Sequence, residues 1–312
     1  MTGRDWLSNG DPLVANTTGK RFLKTDARTK GGNKMKIERR MISLGSCFAM
    51  FLVLFSFPVS PLAQGHFELV ARFDVPEANQ GVGVDLNYFY AVNNRVIAKY
   101  DKVTGKFVAK WEGASGGPII HLDSAMVMSG KIYCAHSNYN DWPMTSSVEV
   151  WDANTLEHIE THSFGIHWGS LTWLDWYNNS WWATFANYDR PSDGIPYGGK
   201  INTTLVKFDA KWQFQEAWIY PKALLDKFED MSNSGGSWGP DGYLYLSGHD
   251  PQEVYKVKLP SAGSIVEFLE VLPVDIRGQG IAWDRSVPGK NKGLLYGIKR
   301  AEREVTVHRY VE

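Results

Sequence analysis

Four of the chain's eight histidines, His121, His136, His167 and His249, stand next to apolar runs. In "KIYCAHSNYND" (Lys131–Asp141) and "GYLYLSGHDPQ" (Gly242–Gln252) a strand-like alternation stops abruptly on an imidazole. Imidazole is the side chain whose ordinary pKa lies closest to neutrality, so a set of them suits general acid–base work. His136 and His249 are the expected acid and base, with His121 and His167 nearby. Asp189 or Asp250 would orient a ring, and Lys299 or Arg300 would stabilise an anionic intermediate. Trp168 and Tyr188 would stack on a sugar or another planar ligand, while Gln80, Asn187, Asn233 and Gln279 offer amide hydrogen bonds. A metal would need three or more ligands within ~2.0–2.2 Å of one ion. No HxH or HExxH spacing exists here, so a divalent cation stays open and no metal ligand is assigned.

A single loop histidine is more often a surface residue than a ligand. The chemistry therefore depends on elements that would bring the four together. Five segments, beginning at Phe89, Ile132, Trp181, Leu244 and Leu294, share one plan. Each carries candidates for up to four strands, a to d, and the unit is about fifty residues long, near the repeat length of propeller blades. Three of the c strands end in aromatic–Asp: Tyr100-Asp101, Trp151-Asp152 and Phe208-Asp209. Such an aspartate accepts hydrogen bonds from the turn that follows it. The fifth unit lacks a d strand, and an orphan strand, Phe67–Val75, precedes the first unit. If that strand closes the fifth unit, few sheet edges stay open.

The expected fold is therefore all-β: a five-bladed β-propeller closed by the N-terminal strand of the exported domain. Two stacked antiparallel sheets would explain the strand count but not the regular repeat. One short helix, Pro221–Ser232, is expected between blades three and four, from its leading proline and the spacing of Ala223, Leu224, Leu225 and Phe228. In a propeller, the start of each a strand and the end of each b strand converge on one mouth of the central channel. Before the a strands stand Gln80, His121 with Asp123, His167 with Trp168 and Ser170, Asn233 with Ser234, and Gln279. At the b ends stand Asn93-Asn94, His136, Asn187-Tyr188-Asp189, His249-Asp250 and Lys299-Arg300. His158, His162 and His308 fall on c or d strands and should pack or face outward. Inter-blade packing would claim Trp173 and one of Trp181 and Trp182 by strand alternation.

The 312 residues carry a formal charge of −1, which leaves no basic surplus for a nucleic-acid partner. Aromatics make up 13 %, with 13 Trp and 30 Gly, in keeping with an all-β domain. Residues 1–63 differ from the rest. Met35–Arg40 is a basic segment, Met41–Phe57 a continuous apolar run, and Pro58–Gly65 holds a candidate cleavage site after Ala63. This is the plan of a signal peptide over 35–63, with an uncleaved anchor as the rival. Residues 1–34 show no apolar periodicity, and translation starting at Met35 would make them an untranslated extension; otherwise they form a disordered one. The propeller domain is then 64–312, periplasmic or extracellular, touching a membrane only through an uncleaved leader. Removing residues 1–63 takes away 10 of 33 basic and 4 of 34 acidic residues, for a formal charge of −7. Of the two cysteines, Cys47 lies in the leader and Cys134 in an apolar strand, so a buried thiol and no internal disulfide is expected.

"IAKYDKVTGKFVAKWEG" and "VEVWDANTLEHIETHSF" resemble the blade signature of the YVTN/quinoprotein-like group of secreted bacterial propellers. The resemblance covers most of Phe67–Glu312 and implies the blade architecture but no reaction. Asn79–Asp85 and Gly278–Asp284, "NQGVGVD" and "GQGIAWD", are similar to the Gln-Gly entry into an inner strand of the glutaminyl cyclotransferase type of five-bladed propeller. The muconate-lactonising cycloisomerase type is a second enzyme relative by architecture. No catalytic residue of either family maps onto this chain. Two functions follow as expectations. One is an exported lyase, cyclase or hydrolase acting on a small-molecule or glycan ligand at the channel mouth. The other is a non-catalytic propeller that holds a ligand or a protein.

Overall fold

The computed structural model describes residues 65–311 except 193–194, 197 and 287–292. The readings of residues 1–63 as an extension and a leader lie outside the described residues. Strand β1 (His66–Asp74) precedes blade one, which is β2 (Gly81–Val84), β3 (Tyr88–Asn93), β4 (Val96–Asp101) and β5 (Phe107–Glu112). Blade two is β6 (His121–Met128), β7 (Lys131–Ser137), β8 (Ser146–Asp152) and β9 (His158–Gly165). Blade three opens with β10 (Ser170–Tyr177) and β11 (Ser180–Ala186). A two-stranded ribbon of β12 (Pro191–Ser192) and β13 (Ile195–Pro196) follows, and β14 (Thr204–Phe208) and β15 (Phe214–Ile219) complete the blade. Helix α1 (Lys222–Leu225) leads to blade four: β16 (Gly235–Trp238), β17 (Leu244–Ser247), β18 (Glu253–Lys258) and β19 (Glu267–Pro273). Blade five is β20 (Ala282–Trp283), β21 (Leu294–Lys299) and β22 (Glu304–Val311), and β1 pairs antiparallel with β22 as the outermost strand of that sheet. The protein is a five-bladed propeller, with every blade a four-stranded antiparallel sheet. Among the described residues no helix is long and apolar enough to cross a membrane.

The b and c strands read as continuous apolar runs because both faces of a blade are covered. Successive side chains leave a strand on opposite faces. In β3, Phe89 and Ala91 pack against blade five, where they meet Tyr296 and Ile298. Tyr90 and Val92 pack against blade two, on Leu122, Ile132 and Trp151. The same division recurs at every junction, giving one apolar cluster between each pair of neighbouring blades. Fully burying a side chain such as Phe89 stabilises the fold by about 1.5–3 kcal/mol. This corrects one expectation. Trp181 and Trp182 are both buried, Trp181 toward blade two and Trp182 toward blade four, because their strand is sandwiched from both sides. Cys134 is a free, fully buried thiol whose pKa burial pushes up.

The aromatic–Asp ends act as turn anchors. Asp101 Oδ1 accepts from the backbone N–H of Val103 and Thr104, and Asp152 Oδ1 from Asn154 and Thr155. The Thr104 hydroxyl also donates to Asp101 Oδ1 at 2.7 Å, and that bond first, with the backbone ones, holds Asp101 below the usual carboxylate range, as the turn N–H groups hold Asp152. The helix is shorter than the twelve residues expected: α1 passes into a 3-10 turn at Asp226–Phe228 and stops at Glu229, whose φ of 54° is left-handed. Leu224, Leu225 and Phe228 nevertheless bury their side chains between blades three and four.

Near the mouth the inner strands crowd together. A Cβ on Gly280 would lie 2.6 Å from Ser124 Cβ and 2.9 Å from Gly81 Cα. One on Gly81 would lie 2.8 Å from Ser124 Cα and 3.0 Å from the Asp123 carbonyl. Only glycine permits this approach of blades one, two and five. Gly280→Ala should therefore cost about 1–3 kcal/mol through overpacking. A urea titration checks it, and an unchanged midpoint would show that the collar can relax.

Candidate functional site

The mouth is a cavity of ≈210 Å³ to which all five blades contribute. Gln80 enters from blade one. His121, Asp123 and Tyr139 come from blade two, and Thr172, Tyr188 and Arg190 from blade three. Ser234 and His249 belong to blade four, and Gln279 and Arg300 to blade five; Met231 completes the wall. The rule that a-strand starts and b-strand ends meet at one mouth is thus the rule that builds this cavity.

Its floor carries an acid–base pair. Asp123 is 4 % exposed, and Oδ2 lies 3.5 Å from His121 Nε2. Burial raises the Asp123 pKa well above the carboxylate range, against an opposing pull from Arg300. Burial also lowers His121 to about 4, helped by His136 and Arg300. Both shifts run the same way: burial disfavours charge on each partner and favours a protonated Asp123 beside a neutral His121. Hydrogen bonds settle the ring. Asn94 Oδ1 accepts from Gln80 Nε2 at 2.8 Å and lies 2.9 Å from His121 Nδ1. With that oxygen as acceptor, His121 carries its proton on Nδ1, and the Nε2 lone pair faces Asp123. The His121 ring rests against Tyr139, with centroids 5.2 Å apart, and Tyr139 against Tyr188 at the same spacing.

His249 and Arg300 form a second unit. Asp250 Oδ2 is 2.5 Å from His249 Nδ1, and His249 Nε2 is 2.7 Å from Arg300 Nη1. A guanidinium only donates, so Nε2 accepts from Arg300 and Nδ1–H donates to Asp250. His249 therefore positions Arg300, and its base nitrogen is engaged in this geometry. Gln279 carries an amide into the cavity from a left-handed backbone (φ 63°), a strained conformation for a non-glycine residue.

The four histidines do not meet: two line the cavity. His136 lies inside blade two, where Nε2 accepts from the Ile120 N–H at 3.2 Å and Nδ1 lies 2.9 Å from Ser147 Oγ. Ser147 donates onward to Glu149, so the imidazole is a buried link of the sheet, and burial lowers its pKa. His167 is exposed and lies with Trp168 and Asn187 in a separate groove of ≈440 Å³ between blades two and three. There Trp168 stacks on Phe214.

Strand alternation explains most of the other departures. Tyr188 turns into the cavity, so Asn187 turns away and donates to the Trp168 and Asn202 carbonyls. Arg300 points inward, so Lys299 points outward to Asp275 at 3.1 Å. Asp189 is exposed and accepts from the Lys200 N–H at 2.7 Å. Asn233 is fully buried and structural: it donates to the Gly235 and Ser247 carbonyls and accepts from Trp173 Nε1. Of the ligand-binding set, Gln80, Tyr188, Gln279 and Arg300 line the cavity, and Asp250 stands behind His249. His158, His162 and His308 pack as expected, on Trp151, Trp212 and Phe67.

In the sequence reading Asp123 stands at the mouth with His121 but carries no role, and Arg190 and Thr172 do not appear. Asp123 sits two residues beyond His121, inside an apolar strand, and only burial raises its pKa. Among the described residues no three His, Cys, Asp or Glu side chains group as metal ligands.

No family model matches the chain. No curated protein matches it at a significant level. Solved structures are similar in fold. A luciferin-regenerating enzyme is 10 % identical with a TM-score of 0.46, the match covering 80 % of this chain and 96 % of that one. Hydrazine synthase from Kuenenia stuttgartiensis is 13 % identical at 0.41, covering 71 % and 67 %. The WD40 repeats of RRP9 are 10 % identical at 0.42, covering 74 % and 79 %. Likeness at this level says nothing of activity.

Proposed function

We propose that the protein is an exported enzyme, a lyase, cyclase or hydrolase, that transforms a small or carbohydrate-like ligand at the channel mouth by acid–base chemistry. One observation carries this reading: a buried carboxyl, Asp123, whose pKa burial raises, lies 3.5 Å from an imidazole, His121, whose pKa burial lowers, and both line the cavity. Asp123 would deliver a proton to the ligand. His121 Nε2 would accept one in return, and Arg300 would stabilise negative charge developing on an oxygen. Perturbed titratable groups gathered in a cleft are a mark of active sites. The cavity falls below the ~300–1,000 Å³ of drug-sized pockets, which favours a ligand of few atoms.

A non-catalytic binding propeller is the second reading, supported by the engaged ring nitrogens of His136 and His249. Incubating the full chain with a library of small sugars, lactones and hydroxy acids in deuterated water separates the two. Catalysis would appear as product or as deuterium incorporation by NMR, and His121→Gln should reduce its rate about 10²–10⁴-fold. Saturable binding of library members with no turnover would leave the binding reading standing instead.

A further inference from the structure

The cavity wall is electrically lopsided. Burial disfavours charge on both Asp123 and His121, and no ion pair joins Asp123 to Arg300 within 4 Å. Arg300 lines the cavity, and among the described residues it meets no carboxylate within ion-pair reach. Asp250 reaches it only through the His249 ring, which stands between them. A second guanidinium, Arg190 of blade three, also lines the cavity, over the Tyr139 ring at 5.5 Å. Only one edge of Arg300 is engaged by His249, and a guanidinium has five N–H donors in a planar fork matched to a carboxylate. In the same cavity Gln279 offers an amide, and Asp123, whose neutral form burial favours, a carboxyl.

From this geometry we propose that the cavity is a carboxylate site: its ligand is a small organic acid, bound as the anion on Arg300, with the His249–Asp250 pair acting as the positioning device for that arginine. The inference deepens the proposed function by naming the ligand class, and it rests on the mouth cavity being the ligand site. The arrangement has a clear division of labour. Asp250 accepts from His249 Nδ1, which fixes the tautomer. Nε2 then presents its lone pair to Arg300 Nη1 and holds the fork in one orientation. A flexible arginine on a cavity wall would otherwise have to be immobilised by the ligand itself, which weakens binding.

Calorimetric titration of the full chain at pH 7 tests this with named probes: acetate, glycolate, lactate and pyruvate, against acetamide and lactamide, and against inorganic phosphate. At least one carboxylate should bind at millimolar concentration or below, and at least ~10-fold more tightly than its amide, the range expected for a charge-assisted hydrogen bond. Arg300→Gln should lose that preference. His249→Leu should weaken carboxylate binding about 10-fold, while His249→Gln, which keeps an acceptor for Arg300, should stay within about 3-fold of wild type. Equal binding of acid and amide, no carboxylate binding at millimolar concentration, or phosphate bound more tightly than every carboxylate would each overturn the proposal. The acid–amide comparison uses the unmodified protein, so it stands even where a variant fails to fold. Carboxylate binding with no turnover of any acid would sink the catalytic reading and leave this one intact. Turnover of a neutral ligand with no carboxylate binding would do the reverse.

Discussion

If the proposed acid–base function holds, Asp123→Asn should lower turnover by about 10²–10⁴-fold, the range for loss of a general acid or base, and it should raise the melting temperature at pH 7. Two opposite effects from one substitution follow from one cause. The Asp123 carboxyl is buried beside a His121 ring that burial keeps from charging, and burial raises its own pKa well above the ordinary value. The folded state therefore holds a proton that the unfolded chain releases above about pH 4. Between that pH and the folded pKa the native state binds more protons than the unfolded one, so stability falls as pH rises through this window. Asparagine has no proton to keep, and its amide can still donate to His121 Nε2. The stability gain of the variant should therefore be absent below about pH 4 and grow toward neutrality.

His121 works with the opposite sign. Its pKa is lowered to about 4, while the unfolded value is near 6.5. The unfolded chain binds the extra proton between those values, so this group destabilises the fold as pH falls from ~6.5 toward ~4. His308, buried and also lowered to about 4, adds to the same acid loss. Melting curves of wild type and Asp123→Asn from pH 4 to 9 check the assignment. A variant less stable than wild type at pH 8 would show that Asp123 is ionised and paired. Full activity in the variant would remove Asp123 from the chemistry whatever its protonation.

Asp175→Ala should be the most damaging single substitution at the other end of the channel. Asp175 is 2 % exposed and joins three blades through one carboxylate. Oδ1 accepts from the Trp176 N–H at 2.8 Å and from Arg285 of the blade-five segment. Oδ2 accepts from the Trp238 N–H at 2.8 Å and from Ser237 Oγ at 3.1 Å, both in blade four. Ser237 Oγ accepts in turn from the Trp283 N–H at 3.1 Å. Alanine would strand these donors in the protein interior and leave Arg285 without its counter-charge.

Breaking a buried pair in this way costs about 3–5 kcal/mol, read as a fall in melting temperature of roughly 10 °C. Arg285→Ala should cost less, because its side chain keeps 26 % exposure and the carboxylate retains three other donors. Equilibrium urea unfolding of both variants measures the difference. A loss below about 1 kcal/mol for Asp175→Ala would mean that water replaces the carboxylate and the knot is not structural.

The blade count, the strand order within blades and the turn anchors were legible in the chain because each is a local consequence of residue type. Alternation marks the strands, an aspartate after an aromatic marks the turn, and a fifty-residue spacing marks the repeat. The mouth itself was legible too, since topology alone sends Gln80, His121, His249, Gln279 and Arg300 to one end of the ring. What the chain could not show is direction and burial. One step along a strand separates Arg300 in the cavity from Lys299 outside it, and Tyr188 from Asn187. His136, the expected base, and Asn233, an expected ligand contact, spend their hydrogen bonds within the fold. His249, the other expected base, spends its own on Asp250 and Arg300. Asp123 reads as an ordinary polar residue in β6, and only packing of all five blades around it removes the water that would keep it ionised. Residue types and spacing determined which groups reach the mouth. Desolvation and hydrogen-bond partners, properties of the assembled ring, decided which of them stay free to do chemistry.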